Sequence, residues 1–433
     1  MENVLFKHIR LIDPASDHHE QQVDLLVVQG QIAAIAAPGS LAPEVGTQVV
    51  DTPDACVSPG WVDMQVHLSD PGFEHKESLA QLARAAQRGG FTSILCYPNT
   101  QPVIDQSQAV HALLRRAAGL PVQVWISGSI THGGAGKELA ELYDMHQSGA
   151  VAFTDGTHSL QSSGVLMRAL QYAQAFDALL IDMPLDLALA ADGHMNEGVQ
   201  AARLGMSGIP ELAEIVPVVR NLELLRYTGG RLHFQPVTSP VALQHIHSAR
   251  QQLPGISTGV PVCYLVLDDS VLEDYDSNYR LVPPLRDQQQ VEALRKALRA
   301  GQIDVLTSGH QAQGLEEKEV EFALAEPGML GLQTAFSLAY KHLIEPGLID
   351  LADWVRLVSQ RPREILRQPA VVLAVGQSAE LTLFHPARTW TLHPGDIPSR
   401  ACNSAWVGQE LTGAVLGTYV HGRLNLQPVR VQE

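Results

Sequence analysis

Apolar positions follow two regimes along the chain. Before residue 55 and after about residue 370 they form short runs parted by tight turns. Residues 25–35 are two apolar runs about Gln29-Gly30-Gln31, a hairpin signal, and residues 379–384 and 411–422 read as further strands. Between these ends, strand-like runs alternate with helix-like ones. Strands are expected at 61–68, 91–97, 122–130, 150–154, 178–183, 231–237, 260–266 and 303–308. Residues 77–88 place Leu79, Leu82, Ala83 and Ala86 on one helical face and stop at Gly89-Gly90. Residues 287–300 do the same with Val291, Leu294 and Leu298 before Gly301, and two last helices are expected at about 329–345 and 350–360. Eight alternations predict an α/β chain with a (β/α)₈ barrel over 56–369 and a small β-sandwich built from both ends, 1–55 plus 370–433.

Chemistry in such a barrel gathers at the C-terminal ends of the strands. The first strand, bracketed by Pro59-Gly60 and Pro71-Gly72, points Asp63, Gln65 and His67 to one side because side chains repeat every two residues. Two histidines so spaced would present two imidazoles to one metal ion. Gln65 occupies the first place, and zinc takes imidazole, thiolate or carboxylate rather than an amide. The other strand ends supply Asn99, Asp155 and His310, with Asp182 on the face opposite Met183. His67, Asp155 and His310 are expected to be hydrogen-bonded polar residues of the barrel mouth, and Asn99 a turn residue beside Pro98.

The composition narrows the classes. A net charge of −17 argues against nucleic acid or an anionic membrane as partner. No run approaches the ~20 apolar residues of a membrane span, and the first residues lack the order of a signal peptide. Cys56, Cys96, Cys263 and Cys402 lie far apart and form no C-x-x-C pair, which fits a reducing cytoplasm.

Ordered motifs run nearly end to end: Pro59-Gly-Trp-Val-Asp-Met-Gln-Val-His-Leu68, Asp70-Pro-Gly-Phe73, Arg88-Gly-Gly-Phe-Thr92, Tyr97-Pro-Asn-Thr-Gln-Pro-Val-Ile-Asp105, Met195-Asn-Glu-Gly198, Thr228-Gly-Gly-Arg-Leu-His233, Pro283-Pro-Leu-Arg286 and Leu315-Glu-Glu-Lys318. By these the chain resembles the dihydroorotase family of amidohydrolases. The resemblance implies the same barrel and β-sandwich, and active members open and close the dihydroorotate ring with a zinc-bound hydroxide. Carried over residue by residue, it implies that Gln65 stands at the first histidine of the family's His-x-His and that His67 is retained. Ser69 stands at the arginine that grips the substrate carboxylate. Asn99 and Asp155 are retained, and Gly156 follows at the next acidic place. Met183 and Pro236 stand at metal-binding histidines, Val282 at a substrate-binding asparagine, Gly309 at the catalytic aspartate, and Gln313 at the last histidine of that motif.

Metal ligands, proton carrier and substrate grip are thus replaced together. Gly309 and Pro236 offer no side-chain ligand atom, and a thioether such as Met183 suits copper(I) rather than zinc. The expectation is a catalytically inactive dihydroorotase homologue with no catalytic residues, no zinc and no other cofactor; if any metal binds, His67 and Asp155 hold it. The resemblance is nearest to the inactive dihydroorotase-like chains of bacterial aspartate carbamoyltransferase. It implies a structural, non-catalytic role beside that enzyme's catalytic chain, within a homo-oligomer. The alternative is an amidohydrolase acting on another cyclic amide with one metal or none. With no substrate to cover, the loop at 309–318 is expected to be mobile.

Overall fold

A computed structural model describes residues 1–427; the last six residues of the 370–433 segment lie outside the described residues. Eight parallel strands follow one another around a barrel. They are Trp61–His67, Phe91–Tyr97, Gln123–Gly128, Ala150–Phe153, Leu179–Asp182, Arg231–Phe234, Ile256–Pro261 and Val305–Thr307. A parallel bridge from Val66 to His310 joins the first strand to the segment after the eighth. The expected (β/α)₈ barrel is therefore present, and helices cover its outside.

A second sheet takes its strands from both chain ends. Val4–Leu11, Gln22–Val28 and Gln31–Ala36 join Leu381–Thr391, Glu410–Val420 and Arg423–Leu426 in it. The hairpin turns at Gln29 (φ 50°) and Gly30 (φ 80°), the two left-handed positions that a tight two-residue connection needs. Cys56–Pro59 pairs in this sheet, with Val4–Leu11 on one side and Leu381–Thr391 on the other, although the chain pattern placed it at the start of the barrel.

Trp61 ties the two layers together. It is fully buried, with ring centroids of Phe336, Trp354 and Phe384 at 5.0, 5.4 and 5.4 Å. Phe384 belongs to the terminal sheet and Trp61 to the first barrel strand, so one aromatic cluster serves both. Beside it, Glu380 of the terminal segment accepts from Thr92 Oγ1 and Arg363 Nη2 of the barrel.

The helices start where their capping residues dictate. Ser78 and Asp287 each close a capping box, so the helices run Leu79–Arg88 and Gln288–Arg299. Three expectations need correction. The seventh strand is Ile256–Pro261 rather than 260–266, whose second half is the 3₁₀ turn Val262–Leu265. The more apolar run drew the expectation, but the strand includes Ser257 and Thr258, buried because His233 and Asp304 bond to them. The helix expected from 329 begins at Ala335, because Met329 is bridged to His310 instead. The loop at 309–318 is held, not loose. Gln313 accepts from Lys76 Nζ at 2.7 Å, and its backbone N–H donates to Asn403 Oδ1 at 3.0 Å. Lys318, buried, donates to the Ser277 carbonyl at 2.8 Å.

Among the described residues no helix is long and apolar enough to cross a membrane.

Candidate functional site

The first strand delivers Gln65 and His67 to the barrel mouth, but its alternation slips between Asp63 and Val66 in the pairing with the second strand. Asp63 stays below the mouth, where its two oxygens accept from the backbone N–H groups of Gln65 at 2.9 Å and Ser308 at 3.0 Å. Burial pushes its carboxyl up to about 6.

Gln65 opens a chain of side chains across the barrel interior. Its Oε1 accepts from Gln235 Nε2 at 3.1 Å, Gln235 Oε1 meets His233 Nε2, and His233 Nδ1 meets Ser257 Oγ at 2.8 Å. Where the resemblance implies the first metal-binding histidine, Gln65 bonds to another glutamine.

His67 stands apart. Its Nδ1 has no hydrogen-bond partner among the described residues, and neither has the hydroxyl of Tyr97, whose ring is 5.3 Å away edge-on. The expectation of a hydrogen-bonded His67 therefore fails at Nδ1. Burial, with repulsion from His310, lowers its pKa to about 4, so the ring is neutral at pH 7. A histidine whose pKa falls on folding contributes stability above pH 6.5 and loses it as the pH drops toward 4. His67→Asn should remove that loss. The unfolding free energy of the variant relative to the natural chain should improve by up to about 3 kcal/mol between pH 7 and pH 4. Urea titrations at several pH values measure this, and a pH-independent difference would contradict a neutral buried ring.

Asp155 faces away from the mouth. Its Oδ1 accepts from Ser129 Oγ at 2.8 Å and from the Thr131 N–H at 2.9 Å, and its Oδ2 accepts from Thr131 Oγ1 at 2.6 Å. Burial raises its pKa, against the pull of these bonds. Asn99 is spent on the same loop: its Nδ2 donates to the Asp155 carbonyl at 2.9 Å and its Oδ1 accepts from the Thr157 N–H at 3.2 Å. A side chain at Gly156 (φ +64°) would collide with Asn99, its Cβ lying 1.6 Å from Asn99 Oδ1. The residue next to Asp155 therefore cannot carry a ligand while Asn99 holds this position.

Met183, Pro236, Val282, Gly156 and Gly309 do meet Gln65 and His67 around one cavity. Ser69, Asn99, Asp155 and Gln313 do not line it. Gln313 is drawn off toward Lys76 and the Pro327 carbonyl. Asp182 lies outside, as expected, with its Oδ2 accepting from Asn221 Nδ2 at 2.6 Å, while Met183 faces the mouth.

His310 points into a pair that the sequence did not signal. Its Nε2 lies 3.0 Å from Glu77 Oε2, and both side chains are buried. The partners stand 233 positions apart, and Glu77 reads in sequence only as the start of a helix.

The cavity is small. It holds about 30 Å³, against the ~300–1,000 Å³ of ordinary ligand pockets. Leu281, Val282, Gln311, Gly328 and Met329 are among its lining residues. The Gln311 N–H donates to the Met329 carbonyl at 2.9 Å and the Gly328 N–H to the Arg280 carbonyl at 3.0 Å. Cys263 also lines the cavity, and burial pushes its thiol up to about 12, far from thiolate.

The donors do not fit the zinc centre that the family resemblance implies. Around the cavity stand the amides of Gln65, Gln235 and Gln311, the imidazole of His67, the thioethers of Met183 and Met329 and the protonated thiol of Cys263, and the nearby carboxylates of Asp63 and Asp155 are engaged by hydrogen bonds. No group of three or more His, Cys, Asp or Glu side chains placed to share a metal ion occurs among the described residues.

Comparison with known proteins adds the family. A model of the family described as dihydro-orotase-like matches residues 55–239. The dihydroorotase of Syntrophus aciditrophicus is 38% identical over 425 residues, 98% of this chain and 99% of that protein. The dihydroorotase of Pelobacter propionicus is 36% identical, over 98% of this chain and 99% of its own. Among solved structures, the L-hydantoinase of Arthrobacter aurescens superposes with a TM-score of 0.85 at 24% identity, covering 98% of this chain and 96% of the other. At that identity the likeness speaks for the fold.

Proposed function

The chain belongs to the dihydroorotase family, and within it we propose a member without catalysis, whose work is structural. The observation that carries this reading is the barrel mouth: of the positions that the resemblance gives to metal and proton chemistry, Gln65, Met183, Pro236 and Gly309 line a cavity of about 30 Å³, and His67 alone among those lining it is of a zinc-ligand type. Dihydroorotate is an anion and needs a cationic or hydrogen-bonding grip. Ser69 and Val282 stand where the resemblance implies that grip, and Asn99 is bound to its own backbone neighbours.

What remains intact is the scaffold. The role proposed for it is that of a non-catalytic subunit supporting an assembly with the catalytic chain of aspartate carbamoyltransferase. The partner comes from the resemblance to inactive dihydroorotase-like chains; the mouth supports only the loss of chemistry.

Co-expression of the full chain with an aspartate carbamoyltransferase catalytic chain tests both halves. The expected result is a single large species on gel filtration, with transcarbamoylase activity and no dihydroorotate turnover. Separate elution, with full transcarbamoylase activity in the partner alone, removes the structural role. Turnover of dihydroorotate by the isolated chain overturns the inactive reading, and about one zinc per chain surviving chelation, with hydrolysis of another cyclic amide, favours the divergent amidohydrolase instead.

A further inference from the structure

The barrel has a second hollow, at the end opposite the mouth. It holds about 480 Å³, against about 30 Å³ at the mouth, and falls within the ~300–1,000 Å³ of ordinary ligand pockets. The barrel contributes Ser93 from the second strand and Gln123 and Trp125 from the start of the third. Arg363 comes from the last helix, Arg361–Leu366. The segment Pro369-Ala-Val-Val372 and then Glu380, which lead into the terminal sheet, complete the lining. The hollow thus lies where barrel and terminal sheet meet, and small-molecule sites gather at such junctions.

Two side chains in the lining are ionisable, Arg363 and Glu380, and they are paired with each other. Glu380 Oε1 accepts from Arg363 Nη2, Thr92 Oγ1 and Ser93 Oγ. Its Oε2 accepts from no group among the described residues, and Trp125 Nε1 donates to none; solvent reaches both atoms. The carboxylate is therefore fixed through one oxygen and free at the other. The Arg363 guanidinium lies 5.8 Å from the centre of the Trp125 ring, and both residues are buried, so the indole is held as firmly.

A free acceptor and a free donor beside an aromatic ring, in a lining without net charge, define what fits. An ion would give up its water and meet no unpaired counter-charge. A neutral planar ring packs against the indole. An N–H on that ring gives Glu380 Oε2 a charge-assisted bond, and a carbonyl or ring nitrogen accepts from Trp125 Nε1. We propose that this hollow binds a neutral nitrogen heterocycle of the nucleobase class, as base or nucleoside, held by Trp125 and Glu380. The lining offers a nucleotide's phosphate no unpaired cation. The inference goes beyond the loss of catalysis at the mouth and does not depend on it.

Titration calorimetry of the purified full chain with adenosine, cytidine and uridine tests it. At least one should bind with a Kd of ~1 mM or tighter, and its 5′-monophosphate no tighter. Ala370→Trp, at an exposed position of the lining, should fill the hollow and weaken binding at least ~10-fold without touching the buried pair. Glu380→Gln keeps an oxygen for Thr92 and Ser93 but turns an amide donor toward the ligand. It should weaken binding about 10–100-fold, the worth of a hydrogen bond to a charged group. Val282→Trp, at the mouth, should leave binding unchanged. Circular dichroism and urea unfolding check the fold of each variant; should Glu380→Gln not fold, Ala370→Trp decides. The proposal is overturned if none of the three nucleosides binds the natural chain, or if folded Ala370→Trp binds as before. It is equally overturned if Val282→Trp abolishes binding, which would place the ligand in the mouth, or if the monophosphate binds at least ~10-fold tighter than its nucleoside. Dihydroorotate turnover by the chain would remove the proposed function and leave this site standing.

Discussion

Arg286→Met should lower the unfolding free energy by about 3–5 kcal/mol, the cost of leaving a buried charge without its partner. The guanidinium is almost fully buried, and each side of it is used. Its Nη2 meets Glu214 Oε2 at 2.8 Å, its Nη1 donates to Asn196 Oδ1 at 2.9 Å, and its Nε donates to Thr238 Oγ1 at 3.0 Å. Glu214 in turn accepts from the N–H groups of Thr238 and Ser239 at 2.7 and 2.8 Å. Methionine fills the space but abandons the carboxylate, so Glu214 is stranded inside the protein. Glu214→Gln in the same chain should recover part of the loss, because a neutral amide oxygen still accepts from those N–H groups. Urea unfolding measures both, and a loss below about 1 kcal/mol for the single change would mean that the pair is not sealed from water.

The cluster also gives a structural role to residues of two motifs of the family resemblance. Asn196 lies in Met195-Asn-Glu-Gly198 and Arg286 ends Pro283-Pro-Leu-Arg286. Their polar atoms hold barrel loops together, so the scaffold needs them whatever the mouth does.

The second large effect is expected at Asp155. As an aspartate kept at a metal position it invites a metal role, yet its oxygens are occupied by Ser129 and Thr131. Asp155→Ala should strip three buried donors of their acceptor and cost about 2–4 kcal/mol, with the two hydroxyls free to turn and offset part of it. Zinc content, measured after dialysis against a chelator, should be the same in variant and natural chain. A fall in bound zinc with little change in stability would assign Asp155 to a metal and would count against the structural reading. Because burial raises its pKa, the protonated carboxyl is favoured in the folded state, so the burial penalty is felt above the unfolded value near 3.9 and eases as the pH falls. A metal ligand would show the opposite trend, losing its ion in acid.

Local pattern was enough for the barrel and the terminal sheet. Period-two and period-3.6 runs report directly on strands and helices, and Gln29-Gly30 or Ser78 with Gln81 report on turns and caps. Whether a ligand atom exists at positions 65, 183, 236 and 309 is likewise a property of the residue itself. Pattern failed where a segment's neighbours decide its state. Ser257 and Thr258 are polar, yet they stand in a barrel strand because His233 and Asp304 receive them. The loop at 309–318 lost its expected freedom to Asn403, Lys76 and Ser277.

The amino-acid sequence by itself therefore determined the architecture, which follows from residue type and short-range spacing, and which side chains stand at positions 65, 183, 236 and 309. Only the tertiary structure decided what became of the residues that were kept: His67 is left neutral and unbonded at Nδ1, Asp155 and Asn99 are turned to loop anchoring, His310 is paired with Glu77, and Leu281 and Met329 line the small cavity at the mouth. Those fates depend on contacts between residues tens to hundreds of positions apart, which packing creates and no local pattern along the chain records.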